Sequence, residues 1–128
     1  MEKFNFKAEH LTQDSTINVE LTLISFTEEN MFFVYCPALD LTGYGDNEKD
    51  AKNSFSQTLK MYLNYTTENK TFIKDLTVHG WTVKNRKRLK SPDFDFLLQH
   101  NKQFKRIVNK RDFSKYKEEI KLPESVYS

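Results

Sequence analysis

Hydrophobic and polar positions change their period several times along the chain, and each change predicts an element. Ile17, Val19, Leu21 and Leu23 alternate with Asn18, Glu20 and Thr22, the period of two expected of a strand with one face on a core and one in water. Phe32 to Cys36 is an unbroken run of large or β-branched side chains, which predicts a strand covered on both faces. Thr27 to Asn30 joins the two as a β-hairpin. Pro37 has no amide hydrogen and a fixed φ, so the strand has to stop there. Asp40 and Leu41 lead into Thr42, Gly43, Tyr44 and Gly45, a short strand in which Gly45 takes a positive φ or admits close backbone approach. Nearer the start, Phe4, Phe6 and Ala8 alternate with polar residues and predict a short added strand.

From residue 46 the period becomes helical. Asp46 or Asn47 suits an N-cap, with Glu48 and Asp50 in the first turn, where the helix dipole favours carboxylates. Ala51, Phe55, Leu59, Tyr62, Leu63 and Thr66 then recur at spacings of three and four, with Lys49, Lys52, Gln57 and Lys60 between them, so one face is core and the other water. Phe72, Ile73 and Leu76 predict a short second helix ending near Gly80, a natural C′ residue. Trp81 to Lys84 reads as a strand. A right-handed helical crossover would return it to the same sheet, parallel to the first long strand. NRKRLK at 85–90 is a basic connector. Ser91 and Pro92 look like an N-cap and first helical position, Phe94, Leu97 and Leu98 give an apolar helix edge, and Phe104, Ile107 and Val108 give another. Phe113 and Tyr116 to Leu122 read as a final strand, with a helix as the alternative.

The stretch FVYCPALDLTGYGDNEKDAKNSF resembles the signature of HicB-like antitoxins: a strand ending in a Pro-acidic turn, a Gly-Asp step, and a helix opening with acidic residues and Ala. Matched are Tyr35, Cys36, Pro37, Leu39, Gly43, Gly45, Asp46, Glu48, Ala51 and Asn53, with departures at Ala38, Asp40 and Thr42. The resemblance covers about residues 17 to 84 and implies an α+β fold, a βββαβ partial ribonuclease H-like domain in which one long helix packs on an antiparallel meander. That domain would occupy residues 1–84, and 85–128 would be a basic, mainly helical C-terminal extension packed on it. The family's C-terminal ribbon-helix-helix or helix-turn-helix is not matched here.

Composition narrows the chemistry. A chain of 128 residues with 11 Phe, 6 Tyr and 1 Trp can build one aromatic-rich core. Cys36 is the single cysteine, so it has no internal disulfide partner, and its place in the strongest strand predicts a buried thiol. No stretch resembles a signal peptide or a membrane span, and the expected location is cytoplasmic. The net charge of +2 conceals a division: residues 1–83 sum to −5, 84–111 to +8 and 112–128 to −1, the kind of asymmetry that marks surfaces for charged partners.

Two-metal nuclease chemistry needs carboxylates converging from several elements. Glu20 and either Glu48 or Asp50 could begin such a set, but Trp81 to Asn85 carries no carboxylate, and Glu48 and Asp50 already suit a first helical turn. His10, His79 and His100 lie on three different elements without metal-ligand spacing, and Gly43 with Gly45 completes no phosphate-binding loop. No catalytic residue, metal or cofactor is expected. The resemblance implies a non-catalytic antitoxin or orphan relative that binds and covers a small basic HicA-like messenger-RNA interferase, with Tyr35, Pro37, Leu39, Asp40, Tyr44 and Asp46 as candidate contacts. The alternative is a nucleic-acid-binding regulator, its phosphate contacts drawn from Arg86, Lys87, Arg88, Lys102, Lys105 and Arg106. A homo-oligomer formed through a sheet edge or the C-terminal segment is compatible with either.

Overall fold

In the computed structural model residues 16–85, 88–110 and 112–123 are described. The short strand expected around Phe4 to Ala8 lies outside them. The elements run β1 (Thr16–Glu28), β2 (Met31–Cys36), β3 (Leu41–Gly45), α1 (Glu48–Glu68), α2 (Phe72–Val78), β4 (Thr82–Asn85), β5 (Arg88–Lys90), α3 (Phe94–His100), α4 (Lys102–Lys110) and β6 (Phe113–Pro123). The architecture is α+β, built on an antiparallel four-stranded sheet ordered β3-β2-β1-β6.

The β1–β2 hairpin is tighter than the sequence suggests. Glu28 pairs with Met31, leaving Glu29 and Asn30 alone in the turn at φ 51 and 66. Positive φ at both central positions is the turn geometry that matches strand twist, and Asn tolerates it. β2 ends at Cys36, as Pro37 requires, and pairing resumes from Cys36↔Leu41 to Phe32↔Gly45.

Strand alternation sends side chains to two separate cores. Val19, Leu21 and Leu23 of β1, Val34 and Cys36 of β2, and Ile120 and Leu122 of β6 pack with Ala51, Phe55, Leu59 and Leu63 of α1. Ile24, Phe26 and Tyr35 point the other way and pack with Leu97, Phe104 and Ile107 of α3 and α4. The unbroken apolar run of β2 is thus explained, since both its faces are covered. Each fully buried leucine or phenylalanine contributes about 1.5–3 kcal/mol of transfer free energy.

Helix α1 starts where its sequence says. The Asn47 side chain accepts from the Asp50 amide at 2.8 Å, and Glu48 and Asp50 occupy the first turn. The helix comes very close to β3: a Cβ on Gly43 would stand 2.2 Å from the Phe55 amide nitrogen, and one on Gly45 would stand 2.5 Å from the Asp50 Cβ. Close approach, and no positive φ, is what requires Gly45. Both α1 and α2 end in the paired 6→1 and 5→2 bonds of a Schellman motif: Thr71 to Thr66 and Lys70 to Thr67, then Trp81 to Leu76 and Gly80 to Thr77. Gly80 fills the left-handed position at φ 93.

Three expectations are corrected. The strand after α2 does not return to the meander; β4 pairs antiparallel with β5, part of the expected connector, in a separate two-stranded sheet. The free edge of β1 is taken by β6, antiparallel from Thr16↔Pro123 to Phe26↔Phe113. An 11-residue strand offers far more ladder bonds and apolar contacts than the 4-residue β4. The C-terminal segment expected to be mainly helical therefore has a strand as its longest element. Finally, α3 is capped two residues later than expected, by Asp93, whose Oδ1 accepts from the Phe96 amide at 2.8 Å.

Candidate functional site

The turn between β2 and β3 is the meeting point of the fold, and its residues divide into interior and surface groups. Tyr35, Pro37 and Leu39 are buried, with Tyr35 only 1% exposed. The Tyr35 hydroxyl donates to Asp40 Oδ1 at 2.6 Å and accepts from Asn101 Nδ2 at 2.8 Å. Burial first, and then the bond to Asp40, raises that hydroxyl well above the ordinary tyrosine range, so it serves as a neutral donor. Asn101 Nδ2 also reaches the Pro37 carbonyl at 3.3 Å, while Asn101 Oδ1 accepts from the Phe104 amide at 3.0 Å and so caps α4. From the other side Trp81 Nε1 donates to the Ala38 carbonyl at 2.8 Å. Tyr35, Pro37 and Leu39 thus hold the turn between α2 and the α3–α4 corner and have little surface left for a partner.

Asp40, Tyr44 and Asp46 are exposed. Asp40 sits at φ 56, a conformation Asp accepts more readily than most residues, and Tyr44 is 61% exposed on β3. In the four-stranded sheet of the described residues β3 is an edge strand, with β2 as its one strand partner. Phe33 supports the Tyr44 ring from the neighbouring strand, with centroids 6.3 Å apart, and the Tyr44 amide donates to Ser54 Oγ on α1 at 3.1 Å. Asp46 leads directly into the exposed first turn of α1, Glu48 and Asp50. A pocket of about 300 Å³ opens near the same end of the sheet, lined in part by Ser25, Phe32, Phe33, Glu48 and Ser114. The site is therefore an acidic edge strand with one large exposed aromatic, separated by β2 from a recess at the same end of the sheet.

The basic candidates among the described residues lie on two elements, β5 and α4. Arg86 and Lys87 lie outside the described residues, and Arg88 begins β5. Lys102 and Lys105 are exposed on α4, whereas Arg106 is partly covered and lies 3.7 Å from Glu28. The acids weighed for a nuclease do not converge: Glu20 alternates with Val19 and Leu21, so it projects from the sheet face opposite α1 and pairs with Lys117 at 3.4 Å. Burial pushes the Cys36 thiol up to about 12, leaving it protonated and inert. Among the described residues, no group of three or more His, Cys, Asp or Glu could hold a metal ion, and no helix is long and apolar enough to cross a membrane.

Sequence reasoning missed Asn101 and Trp81 as the ties of the turn. Asn101 had a local signal, an Asn three residues before Phe104 in the position of a helix cap; its second role depends on a contact 66 residues away in the chain. A further polar cluster joins α1 to α2, where the Tyr62 hydroxyl donates to Asp75 and His79 Nδ1 lies 3.5 Å from the same carboxylate. No protein-family model, curated protein or solved structure matches this chain.

Proposed function

We propose that this chain is a HicB-like, non-catalytic binding protein that docks on a small basic messenger-RNA interferase of HicA type and covers its active site. The observation that carries the proposal is the exposed Tyr44 on β3, an edge strand among the described residues, with the exposed Asp40 and Asp46 on either side of it. Such a surface gives a partner an aromatic anchor flanked by carboxylates. The acidic rim favours encounter with a cationic partner over a neutral or anionic one. Binding here needs no bond made or broken by this chain, and the occluded partner would be silent until released.

The experiment is affinity purification from native cells at low salt, with intact-mass identification of whatever co-elutes stoichiometrically and an RNA-cleavage assay after denaturing separation. The expected result is a small basic protein that cleaves RNA alone and is inhibited by re-addition of this chain. Asp40→Ala with Tyr44→Ala should weaken that complex by at least about tenfold, the scale of losing one interface anchor. Undiminished affinity of the double variant removes the β3 edge from consideration.

A further inference from the structure

Three lysines from two strands meet around one concavity on the sheet face opposite α1. Lys90 comes from β5, and Lys115 and Lys117 from β6; together they border a cleft of about 360 Å³. Its apolar lining includes Pro37, Ala38, Phe94 and Leu97, of which Phe94 alone is not buried. Two carboxylates also line it: Glu20 pairs at 3.4 Å with Lys117, one of the three lysines, and Asp93 accepts from the Phe96 amide as the cap of α3. The Lys115 ammonium is held over the Phe94 ring, 4.8 Å from its centroid, which orients it across the cleft.

We propose that this cleft binds a small organic anion, a phosphate or carboxylate on a compact apolar body. Lysines on an edge strand commonly protect it from pairing with other chains, and Lys121 needs no other explanation. That role accounts neither for Lys90, which belongs to a different sheet, nor for an apolar lining beside the ammonium groups. The volume is that of small-molecule sites, roughly 300–1,000 Å³. An apolar body covers Phe94, and its anionic group meets Lys90 and Lys115, the two ammoniums not paired with Glu20. The cleft touches the β2–β3 turn at Pro37 and Ala38, but no residue of β3 lines it, and its lysines come from β5 and from β6, the opposite border of the sheet.

The test is amide chemical-shift titration of the full chain with phenyl phosphate, benzoate and the neutral benzyl alcohol. The anions should give saturable shifts centred on Ala38, Lys90, Phe94 and Lys115, and benzyl alcohol should not. Tighter binding of phenyl phosphate assigns the site to phosphate-bearing ligands, and tighter benzoate assigns it to carboxylates. Lys90→Gln with Lys115→Gln should weaken the anions by about tenfold, while Lys102→Gln with Lys105→Gln on α4 should leave them unchanged. Shifts that do not saturate, equal shifts with benzyl alcohol, or equal weakening by the α4 variant would overturn the proposal.

Discussion

Helix α1 lies on one face of the sheet as a single element of 21 residues, whereas α3 and α4 cover the other face in pieces of seven and nine. The long helix specifies its own place: it carries a cap, an apolar stripe down its length and a strand approach so close that Gly43 has no room for a methyl group. The short helices each bury less, with Leu97 buried on α3 and Phe104 and Ile107 on α4. Part of their position comes from polar bonds, since Asn101 ties their corner to Tyr35 and Pro37. Long elements can be placed by burial alone, while short ones need specific bonds that fix where their small apolar faces land.

The sharpest way to break this comparison is to remove one phenylalanine from each side. Phe55 and Phe104 are both fully buried, and either change to Ala should cost about 3–5 kcal/mol. The costs should be distributed differently. Phe55→Ala should lower hydrogen-exchange protection throughout the sheet and α1, because the main core loses its central ring. Phe104→Ala should lower it chiefly in α3 and α4, leaving β1 to β3 and α1 nearer their original protection. Uniform loss of protection in both variants would mean that the two faces open as one unit and that the distinction between them has no energetic content.

A smaller effect tests the polar tie. Asn101→Ala removes a cap and two bonds to the turn, and should cost about 1–2 kcal/mol. Tyr35→Phe should cost about 1 kcal/mol, leaving the cap intact. Because the two residues share a bond, the double variant should lose less than the sum of the singles. Strict additivity in urea melts would show that Asn101 acts only as a cap and that the turn is held without it.

Much of the α1 side was legible in the sequence because its signals are local. Asn47, Glu48 and Asp50 announce a helix start, and Ala51, Phe55, Leu59 and Leu63 repeat its period. The glycines of β3 and the stop at Pro37 read just as directly. The partnering of the later strands did not. Trp81 to Lys84 has a strand's composition, but which edge it joins depends on what else competes, and β6, the better competitor for β1, lies some 30 residues further on. The candidate site splits the same way. The motif offered Tyr35, Pro37, Leu39, Asp40, Tyr44 and Asp46 alike, without distinguishing a contact from a packing residue, and the structure buries the first three and exposes the others. That decision belongs to Asn101 and Trp81, both remote in sequence.

The smallest effect separates two adjacent residues that the sheet sends to opposite faces. Cys36 points into the α1 core and Tyr35 into the other, and burial raises both groups from their ordinary values of 9.0 and 10.0. A thiol that ionises near 9 in the unfolded chain but near 12 in the native protein keeps its proton longer when folded. The native state then binds more protons than the unfolded state, and stability falls as pH rises through that window. Below about pH 8 the contribution is complete. Above it the decline is bounded at about 1.4 kcal/mol per pH unit for a single group. Tyr35, Tyr62 and Tyr116 are raised in the same direction, so they add to the decline from about pH 9 upward and leave the interval from about pH 8 to 9 mainly to Cys36. Urea midpoints measured there should drop steadily for the parent protein and stay flatter for Cys36→Ala, with the thiol unreactive to a disulfide reagent until denaturant is added. A thiol that reacts in the native protein at pH 8, or equal slopes in the two proteins, would place Cys36 outside the closed core of the α1 face.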